Sequence, residues 1–159
     1  MKYFSAWESF IEKHADSLDL NEIAKSIKRI ARENKEEVAG AVCSLNGKYY
    51  ISKIRLGSLG GRVREWCPKG GIPVAFYHTH PDGYSEFSIG DILSWVRYGA
   101  PKGLIECVAG TLDNNVLCVR FKKRLEPPPN IEEIERAMKI FAEWNTRILD
   151  YVDKKRIIL

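Results

Sequence analysis

Glutamine is missing from this 159-residue chain, and histidine occurs only three times. No apolar run reaches the length of about 20 residues that a bilayer-spanning helix needs, which excludes an ordinary transmembrane segment. The opening MKYFSAWESFIEKH holds no continuous apolar stretch and no small-residue cleavage site, so it does not read as a signal peptide, and the expected location is the cytoplasm. Cysteine is present four times, at 43, 67, 107 and 118, without any C-x-x-C pair, which argues against a cysteine zinc site. Charge of one sign is also lacking. The net charge is +4, and the basic runs at Lys122–Arg124 and Lys154–Arg156 are short, so they read as solvated faces and nucleic acid is not an expected partner.

The missing glutamine, with abundant Lys and Glu, fits a thermophile. Cytosolic thiols are by default reduced, but intracellular disulfides do occur in thermophiles. Cys107 and Cys118 fall on opposite arms of a predicted hairpin, which leaves a bridge between them open.

What is present is enough apolar sequence, 45% of residues, for one domain over residues 1–159 with a core of its own. Phe4, Trp7, Phe10 and Ile11 give residues 4–15 a helical spacing within an N-terminal extension over 1–19. A second helix is predicted over about 20–34, with Ile23, Ile27 and Ile30 on its apolar face and Lys and Arg on the rest. The period then changes. VAGAVCS at 38–44 reads as a buried strand, Asn46-Gly47 as a hairpin turn, and KYYISKIRL as the return strand. Residues 57–71 carry five of the twelve glycines in a loop longer than an ordinary connection. IPVAFYHTH is a third strand, PDGYSEF a turn, and 88–98 a helix. A second hairpin follows around 113–115. A triple proline at 127–129 acts as a spacer before a long C-terminal helix over about 131–153. In that helix Ile131, Ile134, Met138, Phe141, Asn145, Ile148 and Val152 keep a three–four spacing. The pattern suits either packing on the chain's own sheet or a homodimer seam with one polar position.

Two of the three histidines stand one residue apart in FYHTHPDGYSEFSIGD. Side chains two apart on a strand share a face, so His78 and His80 project together from the end of the third strand. The turn brings the chain back, and Asp91 in the first turn of the following helix can reach both imidazoles. Two nitrogens and one carboxylate oxygen leave a fourth tetrahedral position for water, the pattern of a catalytic zinc. Ser88 and Asp91 also read as a capping box, which accounts for both without a metal; the two roles are compatible. Amide hydrolysis at such a site further needs a carboxylate to move protons. Glu36 and Glu37, at the mouth of the first buried strand, both offer one, and spacing alone does not choose between them.

Glu37-x-x-Gly40, His78-x-His80-Pro81 and Ser88-x-x-Asp91, in this order and at these intervals, resemble the signature of the JAMM (MPN+) metalloproteases. The resemblance covers about residues 20–125. It implies an α/β fold of the cytidine-deaminase-like kind, a mixed β-sheet flanked by helices, here with an extra N-terminal helix and a long C-terminal one. It implies one zinc ion on His78, His80 and Asp91, Glu37 as general base and then general acid, and Ser88 as donor to the oxyanion. The family often has a second glycine shortly after the position of Gly40; here the segment is Ala41-Val42-Cys43-Ser44.

JAMM enzymes typically cut the isopeptide bond after the C-terminal glycine of a ubiquitin-like protein. The expected substrate for this compact chain is therefore a ubiquitin-like or sulfur-carrier protein of the β-grasp fold. Arg62, Arg64 and Trp66 in the glycine-rich loop are the candidates to bind its tail, the other reading being a mobile surface loop. Two alternatives stand beside this: a JAMM-like peptidase of phage-tail or RadC type, and a non-enzymatic dimeric interaction module.

Overall fold

The structure, a computed structural model, describes residues 8–14, 17–55, 67, 70–126, 130, 132, 133, 136 and 148–159. Within these, the elements are α1 (Glu8–His14), α2 (Leu20–Glu33), β1 (Val38–Leu45), β2 (Lys48–Ile51), β3 (Ile54–Arg55), β4 (Ile72–His80), α3 (Ile89–Tyr98), β5 (Ile105–Gly110), β6 (Asn115–Phe121) and β7 (Val152–Ile158). The chain is α/β. Its strands form one mixed sheet in the order β2-β1-β4-β5-β6-β7, with β3 also paired to β1. Among the described strands only β4 and β5 run parallel, joined by a crossover through α3; the other described pairs are antiparallel.

The local reasons are legible. Asn46 and Gly47 both take positive φ, 51° and 77°, as a two-residue hairpin turn demands. Asp19 caps α2 by accepting from the amides of Asn21 and Glu22. Apolar residues at 23, 27 and 30 bury one side of α2 against Ala75, Tyr77, Cys107 and Ala109 on one face of the sheet. On the other face, Ile92 and Trp95 of α3 pack on Phe76, Ala41 and Val119. β4 is thus covered on both sides, which is why it reads as a nearly continuous apolar run. A register shift in the β1–β4 ladder leaves Val74 and Ala75 in the same cluster, and from Ala75 on the strand alternates: Ala75 and Tyr77 face α2, while Phe76 and then the two histidines continue on the α3 face.

Three expectations are corrected. The C-terminal helix does not run to 153: Leu149–Tyr151 form a turn, and Val152–Ile158 is an edge strand on β6. Its buried ends, Val152 and Ile157, flank an exposed DKKR segment, and charge of this kind keeps an edge strand from pairing with another molecule. Most of the expected helix and its seam lies outside the described residues. Of the seam, Ile148 and Val152 are buried in the chain's own core. The second correction is to the cysteines, which are not free thiols: Cys43 bonds Cys67, and Cys107 bonds Cys118 directly across the β5–β6 ladder. Third, α2 is not clothed in solvated cations throughout, because Lys28 is only 1% exposed. The basic run at 154–156 is exposed, as expected, and Arg156 also donates to the backbone carbonyl of Ser85 at 3.0 Å. No helix among the described residues is long and apolar enough to cross a membrane.

Candidate metal centre

The site forms where three elements end together. β4 delivers His78 and His80 on one face, their rings edge to face with centroids 4.8 Å apart. Ser88 caps α3 by accepting from the Asp91 amide at 3.1 Å, and its own amide donates to Asp91 Oδ2 at 2.7 Å. The capping box therefore aims the Asp91 carboxylate rather than competing with its use as a ligand. Asp91 Oδ2 lies 2.9 Å from His78 Nε2 and 3.6 Å from His80 Nε2.

One donor atom from each of His78, His80 and Asp91 lies within 4.8 Å of the others. Donors about 2 Å from a tetrahedral ion stand roughly 3.3 Å apart, and the two Asp91–imidazole separations, 2.9 and 3.6 Å, lie near that spacing, so the group could hold a small divalent cation. The tautomer also fits. His80 Nδ1 lies 3.1 Å from the Tyr84 carbonyl, which can only accept, so Nδ1 carries the proton and Nε2 faces the cluster.

The electrostatics are those of a site awaiting positive charge. Burial raises the Asp91 carboxyl, but the hydrogen bond from His78 and the nearby His80 imidazole outweigh it and hold the group below the usual carboxylate range. His80 is raised, chiefly by the Asp91 carboxylate 3.6 Å from its Nε2; burial opposes this, and the Tyr84 carbonyl and the charge of Glu37 add to it. An apolar wall backs the ligands: Phe87 stands 5.9 Å from the His78 ring and stacks edge to face on Trp95.

Glu37 reaches this site across the ladder. Ala39 pairs with His78 at the end of the antiparallel β1–β4 ladder; continuing that register by two residues sets Glu37 level with His80, and the Glu37 charge acts on the His80 imidazole. The Val38 amide donates to Thr79 Oγ1 at 2.9 Å, which pins the backbone just after Glu37. Glu37 itself is exposed. Gly40 is explained by space, since a Cβ there would stand 2.1 Å from the Ser52 carbonyl oxygen and 2.7 Å from the Tyr77 ring. Ser88 is exposed, and its oxygen already accepts from Asp91, which leaves its hydroxyl proton to donate outward. Thus Glu37, His78, His80, Ser88 and Asp91 converge, whereas Arg62, Arg64 and Trp66 lie outside the described residues.

Sequence reasoning missed three contributors. The Tyr84 carbonyl has no side-chain signature. Thr79 was hidden between the histidines because it faces the other way. Glu106 did leave a signal, a lone carboxylate in the apolar strand IECVAG. In the parallel register it is level with Phe76, and it accepts from the Trp95 indole N–H. Burial, with the Asp91 charge added, pushes its carboxyl up to about 8, so it carries a proton at neutral pH. No protein-family model, curated protein or solved structure matches the chain.

Proposed function

We propose that this chain is a zinc metalloprotease of the JAMM (MPN+) type, a hydrolase of the (iso)peptide bond after the C-terminal glycine of a ubiquitin-like or sulfur-carrier protein. The observation that carries the reading is the convergence of His78, His80 and Asp91 donor atoms within 4.8 Å, beside an exposed carboxylate and an exposed hydroxyl.

His78 Nε2, His80 Nε2 and an Asp91 carboxylate oxygen would hold the ion, with Tyr84 and Ser88 orienting two of the three. The ion, when bound, supplies Lewis acidity to water and to the scissile carbonyl. Glu37 accepts one proton from the attacking water and returns it to the leaving amine, so the carboxylate is regenerated in each turnover. The Ser88 hydroxyl donates to the carbonyl oxygen as it becomes an oxyanion, a preorganised contact worth roughly 3 kcal/mol in comparable sites. Phe87 and Trp95 keep water from the inner side of His78 and so strengthen these interactions. The expected fold is accordingly the JAMM/MPN arrangement of the α/β class.

The test is a Glu37→Gln substrate trap with His78→Ala as metal-free control, each incubated with lysate and the retained proteins identified by mass spectrometry. A β-grasp protein or its conjugates held by the Glu37→Gln variant alone is the expected result. Normal peptide-bond hydrolysis by purified Glu37→Gln refutes the mechanism. Equal retention by both variants refutes a metal-dependent choice of partner, and retention of cell-wall peptide or DNA-repair proteins would move the substrate to another class.

A further inference from the structure

Behind the turn that links His80 to α3 lies a second polar cluster, separate from the ligands. Lys28 of α2 is 1% exposed and donates to Asp113 Oδ1 at 2.9 Å and to the Asp113 carbonyl at 3.0 Å. Ser85 is fully buried; its hydroxyl oxygen lies 2.7 Å from Asp113 Oδ1 and accepts the Gly110 amide at 2.8 Å. A serine, a lysine and an aspartate in contact invite a nucleophilic reading, but burial of Lys28 and Ser85 closes the cluster to any substrate.

Its geometry serves another purpose. The Ser85 amide donates to Asp113 Oδ2 at 2.7 Å, and the carbonyl of the same peptide group, that of Tyr84, accepts from His80 Nδ1 at 3.1 Å. One peptide unit therefore joins a partly buried carboxylate to the imidazole. A charged acceptor on the N–H side of an amide increases the negative charge on its oxygen, because linked hydrogen bonds polarise one another. Metal-binding histidines commonly donate their second nitrogen to a carboxylate, which fixes the tautomer and makes the other nitrogen a better ligand.

We infer that Asp113 is a positioning residue for His80, acting through the Tyr84–Ser85 peptide group to hold the proton on Nδ1 and present Nε2 outward. This rests on the reading that His80 Nε2 is a metal ligand. Lys28 holds the Asp113 carboxylate in place, and its other bond, to the Gly110 carbonyl, ties it to the residue paired with His80 in the sheet.

The experiment compares wild type with Asp113→Asn, whose amide oxygen can still accept from Ser85 but without the charge. Arg156→Ala is the control: it removes an outer anchor of the same turn, on the Ser85 carbonyl, and leaves the Tyr84–Ser85 peptide bonds intact. Two readouts are taken: the tautomer of His80 by nitrogen-15 NMR in the metal-free protein at alkaline pH, and zinc affinity by competition with a chromophoric chelator. Wild type should carry the His80 proton on Nδ1. Asp113→Asn should shift protons to Nε2, leave His78 unchanged, and weaken zinc binding roughly tenfold. Arg156→Ala should lower the melting temperature and move neither readout. An Nε2–H tautomer in wild type overturns the inference without any variant, so a failure of Asp113→Asn to fold does not protect it. An unshifted tautomer and an affinity within about twofold in folded Asp113→Asn also overturn it. Absence of zinc binding by wild type with the expected tautomer shift intact would instead sink the metalloprotease reading alone.

Discussion

Replacing Gly110 by alanine should damage the candidate site without touching any of its ligands. Gly110 pairs with His80 across the parallel β4–β5 ladder, and the turn passes directly over it. A Cβ at Gly110 would stand 2.3 Å from the Gly83 carbonyl oxygen and 2.4 Å from the Tyr84 carbonyl carbon, both backbone atoms. Gly110 is not among the positive-φ glycines, so the cost is one of space alone. Ordinary contact needs a little over 3 Å, so the turn must lift by about 1 Å. A lift of that size takes the His80 Nδ1–Tyr84 bond from 3.1 Å to about 4 Å, outside hydrogen-bonding range. Overpacking of this kind costs about 1–3 kcal/mol, or a melting temperature lower by roughly 2–12 °C in a chain of this size. Loss of the orienting bond should weaken zinc binding by roughly 10–100-fold. Thermal unfolding reads the first effect and chelator competition the second. A Gly110→Ala variant that binds zinc as tightly as wild type would refute the claim that the Tyr84 carbonyl orients His80.

Ser88→Ala should lose a helix cap, at about 1 kcal/mol, and about a hundredfold in turnover while keeping its metal; unchanged turnover would leave Ser88 as a cap only. Glu106 should make the metal-free protein less stable as pH rises. Its folded carboxyl titrates near 8 and its unfolded one near 4.5, so the folded state binds the extra proton between them and stability falls across that window. In Glu106→Gln that fall should vanish, and urea titrations showing the same slope in both proteins would exclude the effect. Reductant should lower stability by about 3 kcal/mol for each of the two disulfides, and a titre of four thiols in the native, unreduced protein would contradict them.

Much of this was legible along the chain because it depends on neighbours in sequence. The 3.6-residue spacing of 23, 27 and 30 marked α2, Asn46-Gly47 marked its hairpin, and the run IPVAFYHTH marked β4 to the residue. Alternation on that strand was enough to put His78 and His80 on one face, and the Ser88-x-x-Asp91 interval was enough to form the capping box. The C-terminal segment misled because Ile148 and Val152 continue a helical spacing up to the turn before β7, and only pairing with β6 makes residues 152–158 a strand. Other features had no local signature at all. Which glutamate faces the histidines depends on the register of β1 against β4. Burial of Lys28 depends on carbonyls and a carboxylate from the β5–β6 hairpin, more than eighty residues away. The Cys43–Cys67 pair, the carbonyl that orients His80 and the burial that protonates Glu106 likewise arise only in the packed structure, whereas the Cys107–Cys118 pair was left open by its place on one hairpin. Periodicity specifies which face a side chain takes, whereas its partner across a ladder, and hence its charge and tautomer, is a property of the packed sheet.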